Sequence, residues 1–329
     1  MSKTREKASW EHTVSSTQPS NPRQGDMYYD TNDNLTYVYS GSSWKIITNT
    51  FNASGGTEST SGNYKIHTFT SSGTFEVTSG TKNVELLIVA GGGPGGTDNA
   101  GGGGAGGLLY YGSETPKTPN GAAVTATPGN YSIVIGAGGA GGSTSSGNPT
   151  INDGNSSSAF GYTAIYGGGG AAAHGSNIGG RNGGSGGGGV GNTDSANPYN
   201  PGTGTSGQGN TGGTGANGAG GGGGGAGAAG QNGNVRGSQL GGNGGVGLQY
   251  SISGTATFYA AGGGGGNENS IYNVQSRASG IGGQTNASST AQPTSGIANS
   301  GSGGGGGTHT AGVPSGAGGS GIVIIRYEV

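Results

Sequence analysis

The chain has 329 residues, of which 87 are glycine and none is cysteine; only 8% are charged, and the formal net charge is −2. These figures exclude disulfide and cysteine–metal staples, and they leave nucleic acid without a basic surface to bind. Apolar residues reach only 28%, little material for the core of a conventional enzyme.

Residues 1–20 are polar and mixed in charge, with Trp10 as the large apolar group, and read as an attachment segment. No apolar run follows Met1–Lys7, so a secretory signal is not expected. Pro19 and Pro22 disfavour helix and stiffen the entry to residues 21–50. There the pattern predicts three strands: Asp26–Asp30, Leu35–Tyr39 and Trp44–Ile47, with turns between them. Asp26, Asp30 and Asp33 fit turn chemistry better than a calcium site. So small a module has little core of its own and is expected to trimerise or dock on a partner. Residues 51–62, rich in Ser, Thr and Gly, read as a flexible linker.

Residues 63–329 carry nearly all the glycine, in blocks such as Gly101–Gly104, Gly221–Gly225 and Gly303–Gly307. Such blocks break the strict three-residue register that collagen requires. Short β-branched and aromatic runs recur before them: Val84–Val89, Tyr131–Ile135, Thr163–Tyr166, Thr257–Ala261 and, at the end, Ile322–Val329. Runs of this kind bounded by glycine predict strands, which a disordered tail would have no reason to carry. The expected fold class is all-β: a sandwich-like body with Ile88, Ile133, Ile135, Val323 and Ile325 in its core. Alternation places Val323, Ile325, Tyr327 and Val329 on one face. Lacking Cβ atoms, the glycine segments are expected to run extended in polyproline II form, ~4.8 Å apart, bonded laterally through their backbones.

Chemistry-bearing motifs are few. Matches to G-x-G-x-x-G follow from composition alone, and no lysine follows a glycine, so no phosphate loop is present. His12, His67, His174 and His309 are scattered, with no metal-ligand spacing. Nothing resembles a nucleophile elbow, and the charge-poor glycine region lacks the paired acids of a polysaccharide hydrolase. No enzyme activity, cofactor or metal is expected. Ice binding would need a regular flat face and a regular repeat, and neither is present. What remains is loop chemistry in segments such as 190–211 and 267–300. In the first, Asn197-Pro198-Tyr199-Asn200-Pro201 holds a tyrosine between two prolines; in the second, Asn269 and Tyr272 repeat the pairing of amide and aromatic. Rigid tyrosines among adaptable polar residues are the composition of a binding paratope. With His174 and His309 in glycine loops, these are the candidate binding residues.

The order Pro19-Ser20-Asn21-Pro22, Gly25-Asp26-Met27-Tyr28-Tyr29-Asp30, Leu35-Thr36-Tyr37-Val38-Tyr39, Gly41-Ser42-Ser43-Trp44 resembles a short module of bacteriophage tail-fibre and virion proteins. Tyr28 stands where that family usually has tryptophan. From Tyr64 onward the chain resembles the glycine-rich C-terminal domain of phage tail fibres. The resemblance rests on Thr68–Phe75, Val84–Gly93, Gly101–Gly107, Tyr131–Gly139 and Gly319–Tyr327 in that order. It implies a virion protein that docks on a bacterial surface glycan or outer-membrane protein, joins other virion proteins through its N-terminal region, and assembles as a homotrimer. The alternative it leaves open is a structural head fibre or decoration that binds no receptor. Either protein would be assembled inside a cell and exposed after lysis.

Overall fold

The computed structural model describes residues 12–33, 35–47, 50–115, 120–142, 152–173, 179–191, 200–234, 240–267, 278–285, 292–308 and 313–329. It divides into two units, residues 1–52 with 79–81 and residues 53–78 with 82–329.

In the first unit a sheet runs β1 (His12–Ser15), β2 (Met27–Asp30), β3 (Leu35–Tyr39) and β4 (Trp44–Ile46) in that spatial order. The expected three strands are present, and a fourth is added. β1 lies in the stretch read as a polar arm and pairs parallel to β2, a non-local pairing that no turn signal announces. Tyr28, 3% exposed, is the centre of this sheet. Its ring stacks on Tyr37 at 5.1 Å and meets Trp44 edge-on at 4.7 Å. The aspartates do the work of turns: Asp30 accepts the Asn32 N–H at 2.9 Å, and Asp33 that of Leu35 at 2.9 Å. The Tyr37 hydroxyl also donates to Asp33, which pushes its pKa up to about 12.

The second unit opens with β5 (Asn52–Ser54) and β6 (Thr57–Ser61), which corrects the linker expected over 51–62. Gly55 and Gly56 turn the chain with φ of 120° and 64°. The Ser and Thr side chains of β6 stay exposed because it is the edge strand of the main sheet. A polar edge strand therefore has the composition of a linker.

The main sheet continues through β7 (Tyr64–Phe69), β8 belonging to a second sheet (Gly73–Ser79), β9 (Lys82–Val89), β10 (Leu108–Tyr111), β11 (Asn120–Gly121) and β12 (Val124–Ala126). β13 (Gly129–Ile133) pairs with β8; β14 (Ser157–Ala159) pairs with β15 (Tyr162–Ala164), and β16 (Leu248–Tyr250) with β17 (Thr257–Tyr259). β18 (Ile322–Glu328) closes the chain between β7 and β9, antiparallel to both. The fold is all-β, with no α-helix among the described residues.

β9 and β18 contain the continuous apolar runs Leu86–Val89 and Ile322–Ile325, and both faces of these runs are covered. Leu87, Val89, Ile322 and Ile324 join Ile66, Tyr110, Tyr250, Ile252 and Tyr259 in one cluster. On the other face Leu86, Ile88, Val323 and Ile325 are fully buried, and His67 there meets Phe75 of β8 edge-on at 5.0 Å. The expected core is thus present at Ile88, Ile133, Val323 and Ile325. Two positions depart from expectation. Ile135 is half-buried, two residues past the end of β13, and Val329, beyond β18, is 73% exposed. Val323, Ile325 and Tyr327 share one buried face as expected, and Ile322, Ile324 and Arg326 on the other face are buried as well.

His67 is fully buried; its Nδ1 donates to the Gly55 carbonyl at 2.8 Å, and its Nε2 accepts from the Tyr327 hydroxyl at 3.2 Å. Burial lowers its pKa below the ordinary 6.5, outweighing the Gly55 bond and the opposing pull of Glu58. The unfolded chain therefore binds a proton more readily than the folded one. This contribution to stability is full above pH 6.5 and is lost as pH falls below it. Denaturation midpoints of the wild type are expected to drop between about pH 7 and 5, while those of His67→Gln stay flat over that window. Equal slopes for the two proteins would remove His67 from the account.

Beyond the sheets the glycine blocks form a bundle of extended segments, as expected from the sequence. Gly102, Gly103 and Gly104 donate in turn to Gly221 (3.0 Å), Gly304 (2.8 Å) and Gly168 (2.8 Å). Three residues later Ala105, Gly106 and Gly107 return to the same neighbours, at Gly224, Gly301 and Ile165. A three-residue helix points successive N–H groups in three directions and repeats on the fourth residue, which is this pattern. The carbonyls of Gly103, Gly104 and Ala105 accept from Gly263, Gly93 and Ser185. The 101–107 segment is therefore ringed by six others, around 90–96, 165–171, 185–188, 221–224, 260–266 and 301–304. Lateral hydrogen bonds replace side-chain burial as the source of order. A Cβ added at Gly102 would land on the Gly263 carbonyl, and at Gly103 on that of Gly93. The same crowding extends to Gly282, Gly283 and Gly296. Apolar core and bundle meet at Ala105, Ala226 and Ala260, whose methyls enter the cluster of Leu87 and Tyr259.

Candidate recognition surface

Segment 90–96 runs out of β9 and turns back at Thr97–Ala100 before the chain returns along 101–107. The turn is made by Asp98 and Asn99, with φ of 65° and 46°. Those are the residue types that enter the left-handed region at least cost. Thr97, Asn99 and Ala100 are buried, held by what surrounds them.

Four segments reach this turn, and each ends on it by a backbone hydrogen bond. The Ala173 N–H donates to the Thr97 carbonyl at 3.3 Å, and Gly191 to Asn99 at 2.8 Å. Gly266 donates to Ala100 at 2.7 Å, and the Ala100 N–H in turn donates to Gly307 at 3.1 Å. Asn267, fully buried, accepts the Gly241 N–H through Oδ1 at 2.5 Å and bridges to Ala219. The end of the bundle is a rigid, backbone-bonded platform with one ionisable residue in its turn, Asp98.

Described residues on this platform stand next to, or lead toward, the sequence-predicted binding residues in the chain. Ala173 immediately precedes His174, and Gly191 precedes the stretch that holds Asn197 and Tyr199. Gly266 and Asn267 lead to Asn269 and Tyr272, and Gly307 and Thr308 lead to His309. His174, Asn197, Tyr199, Asn269, Tyr272 and His309 themselves lie outside the described residues. Asn200 lies within them: it is exposed, and its carbonyl accepts the Gly180 N–H at 3.0 Å. Sequence reading named these loops one by one and missed what unites their departure points. The only local signal was Thr97-Asp98-Asn99 between two glycine blocks, which marks a turn without saying what abuts it. Among the described residues no group of His, Asp and Glu is placed to hold a metal ion.

A search of curated proteins returns no match to the chain. A family model described as a glycine-rich domain matches residues 68–328, a span that takes in β8 to β18 and every segment of the bundle. The chain therefore belongs to this glycine-rich domain family.

Proposed function

We propose that this chain is a non-catalytic adhesin, carried on a bacteriophage tail fibre, that docks on a glycan or outer-membrane protein of the bacterial surface. One observation carries the reading: Ala173, Gly191, Gly266 and Gly307, which flank segments whose sequences hold the candidate tyrosines, amides and histidines, all bond to the single turn Thr97–Ala100. Loops on a rigid scaffold concentrate recognition, and a bundle held by main-chain bonds tolerates loop change because its order does not depend on loop side chains. Individually weak contacts gain avidity when several copies engage together. The N-terminal sheet supports the remainder of the proposal, attachment to other virion proteins and trimerisation. It leaves Val14 66%, Ile46 47% and Ile47 45% exposed, apolar surface suited to a partner.

The test is exchange of residues 192–199 and 268–277 with those of a relative infecting another strain. Adsorption is expected to follow the loops, while the thermal midpoint stays within a few degrees of the parent. Adsorption that follows the rest of the chain would favour a structural virion protein, a head fibre or decoration.

A further inference from the structure

The hairpin of β14 and β15 lies at the opposite end of its segment from the Thr97–Ala100 turn. Ile165, just after β15, accepts from Gly107 at 2.7 Å, whereas Ala173 reaches Thr97. Its two-residue turn is Phe160-Gly161, with φ of 52° and 80°. Glycine fits that geometry; phenylalanine does not, since a bulky residue with positive φ is a genuine outlier. Strain of this kind, of order 1–3 kcal/mol, persists where the surroundings over-determine it, and such residues cluster at ligand sites.

What fixes Phe160 is a stack of rings. Its ring lies 4.2 Å from that of Tyr131 at 23°, and both rest on the buried Phe75, at 6.0 and 6.3 Å. Beyond Gly161, Tyr162 stacks on Tyr111 at 4.2 Å and remains 37% exposed. An open groove of about 410 Å³ runs past the first pair, lined by Asn130, Tyr131, Ser132, Ser158, Phe160 and Thr163. It contains no charged residue. Two serines nearby cap backbone groups: Ser157 accepts from Gly136, and Ser156 from Tyr166. Among the described residues the side chains of Asn130, Ser132, Ser158 and Thr163 have no hydrogen-bond partner, and all four residues line the groove.

We propose that this groove is a binding site for a neutral oligosaccharide, separate from the loops of the platform. Half-buried rings offer an apolar face to a pyranose ring, the four uncommitted polar side chains match its hydroxyls, and the lack of charge selects against acidic sugars. The site stands or falls independently of the adhesin reading, because its residues belong to strands and a hairpin turn, not to the exchanged loops.

The full chain is to be screened by saturation-transfer NMR against maltohexaose, cellohexaose, mannohexaose and xylohexaose. Two variants accompany it. Phe160→Asn removes the ring and suits positive φ, and Thr163→Arg fills the groove from an exposed position. Binding of at least one hexasaccharide by the wild type, weakened about tenfold or more in both variants, is the expected result. The proposal is overturned if no hexasaccharide binds, or if both variants bind as the wild type does. It is equally overturned if binding is lost on exchange of residues 192–199 but kept in the two variants.

Discussion

Gly103→Val is expected to abolish the folded state of the glycine-rich unit. The Cβ of any residue at this position would fall on the Gly93 carbonyl, with the Pro94 carbonyl alongside. The obstruction is backbone, so no side chain can swing away to relieve it. Segment 90–96 cannot retreat either, because its own N–H groups are bonded elsewhere: Gly92 to Gly319 at 2.9 Å and Gly95 to Gly316 at 3.0 Å. Overpacking an ordinary core costs about 1–3 kcal/mol, and each buried backbone group left unpaired adds about 1–3 kcal/mol more. Parting two segments frees several such groups at once, so the total should reach the 5–15 kcal/mol that holds a typical domain together. Gly103→Ala should be nearly as damaging, since the first carbon makes the clash. Gly179→Ala is the control: a Cβ there meets only the Asn200 carbonyl, at 3.9 Å, and the change should stay within about 0.5 kcal/mol. Circular-dichroism melts of the three variants decide the matter. A Gly103→Val protein that melts like the control would mean that close packing of glycine segments is not what holds this unit.

The same crowding explains what could be read from the sequence and what could not. Strands were legible where side chains carry the signal: β2, β3 and β4 through their aromatics, β9 and β18 through the apolar runs Leu86–Val89 and Ile322–Ile325. Missed strands lack that signal. β6 is Ser and Thr at an edge, and β1 gains its partner from a stretch beginning twelve residues beyond its end. The bundle's character was legible from glycine blocks, but its wiring was not. Glycine has no side chain to distinguish one segment from another, so nothing local indicates that 101–107 will lie among six particular neighbours. The meeting of Ala173, Gly191, Gly266 and Gly307 at Thr97–Ala100 is a consequence of that wiring, and it stayed hidden for the same reason.

Arg326→Met is expected to cost about 3–5 kcal/mol, the penalty for leaving buried charge without its partner. Arg326 is 8% exposed, on the face of β18 that meets the tyrosine-rich cluster. Its Nε donates to Glu85 at 2.7 Å, and Nη2 bonds both Glu85 and Glu114, the latter at 2.8 Å. Nη1 reaches the Ser251 carbonyl at 2.9 Å, and the guanidinium lies 4.6 Å over the Tyr64 ring. Glu85 also accepts from the backbone and hydroxyl of Ser113, and Glu114 from the Ser251 N–H. One cation therefore ties β18 to β9, to the chain after β10 and to the chain after β16. Burial alone would raise the Glu85 pKa, but the Ser113 bonds and Arg326 outweigh it and the net shift is downward. That stabilisation is present above the ordinary 4.5 and is lost as pH falls below it, a window lower than that of His67. A buried pair is also weakly screened, so the wild-type midpoint should hardly move between low and moderate salt. The decisive comparison is with Arg326→Met/Glu85→Leu/Glu114→Leu. If the single variant fails because charge is stranded, the triple variant should recover most of the lost stability in urea titrations, since apolar groups of similar volume can replace a buried ion cluster. If it recovers nothing, hydrogen bonds outweigh charge balance, those of Arg326 to Ser251 and of the two carboxylates to Ser113 and Ser251, and the cluster acts as a directional clamp on the terminal strand.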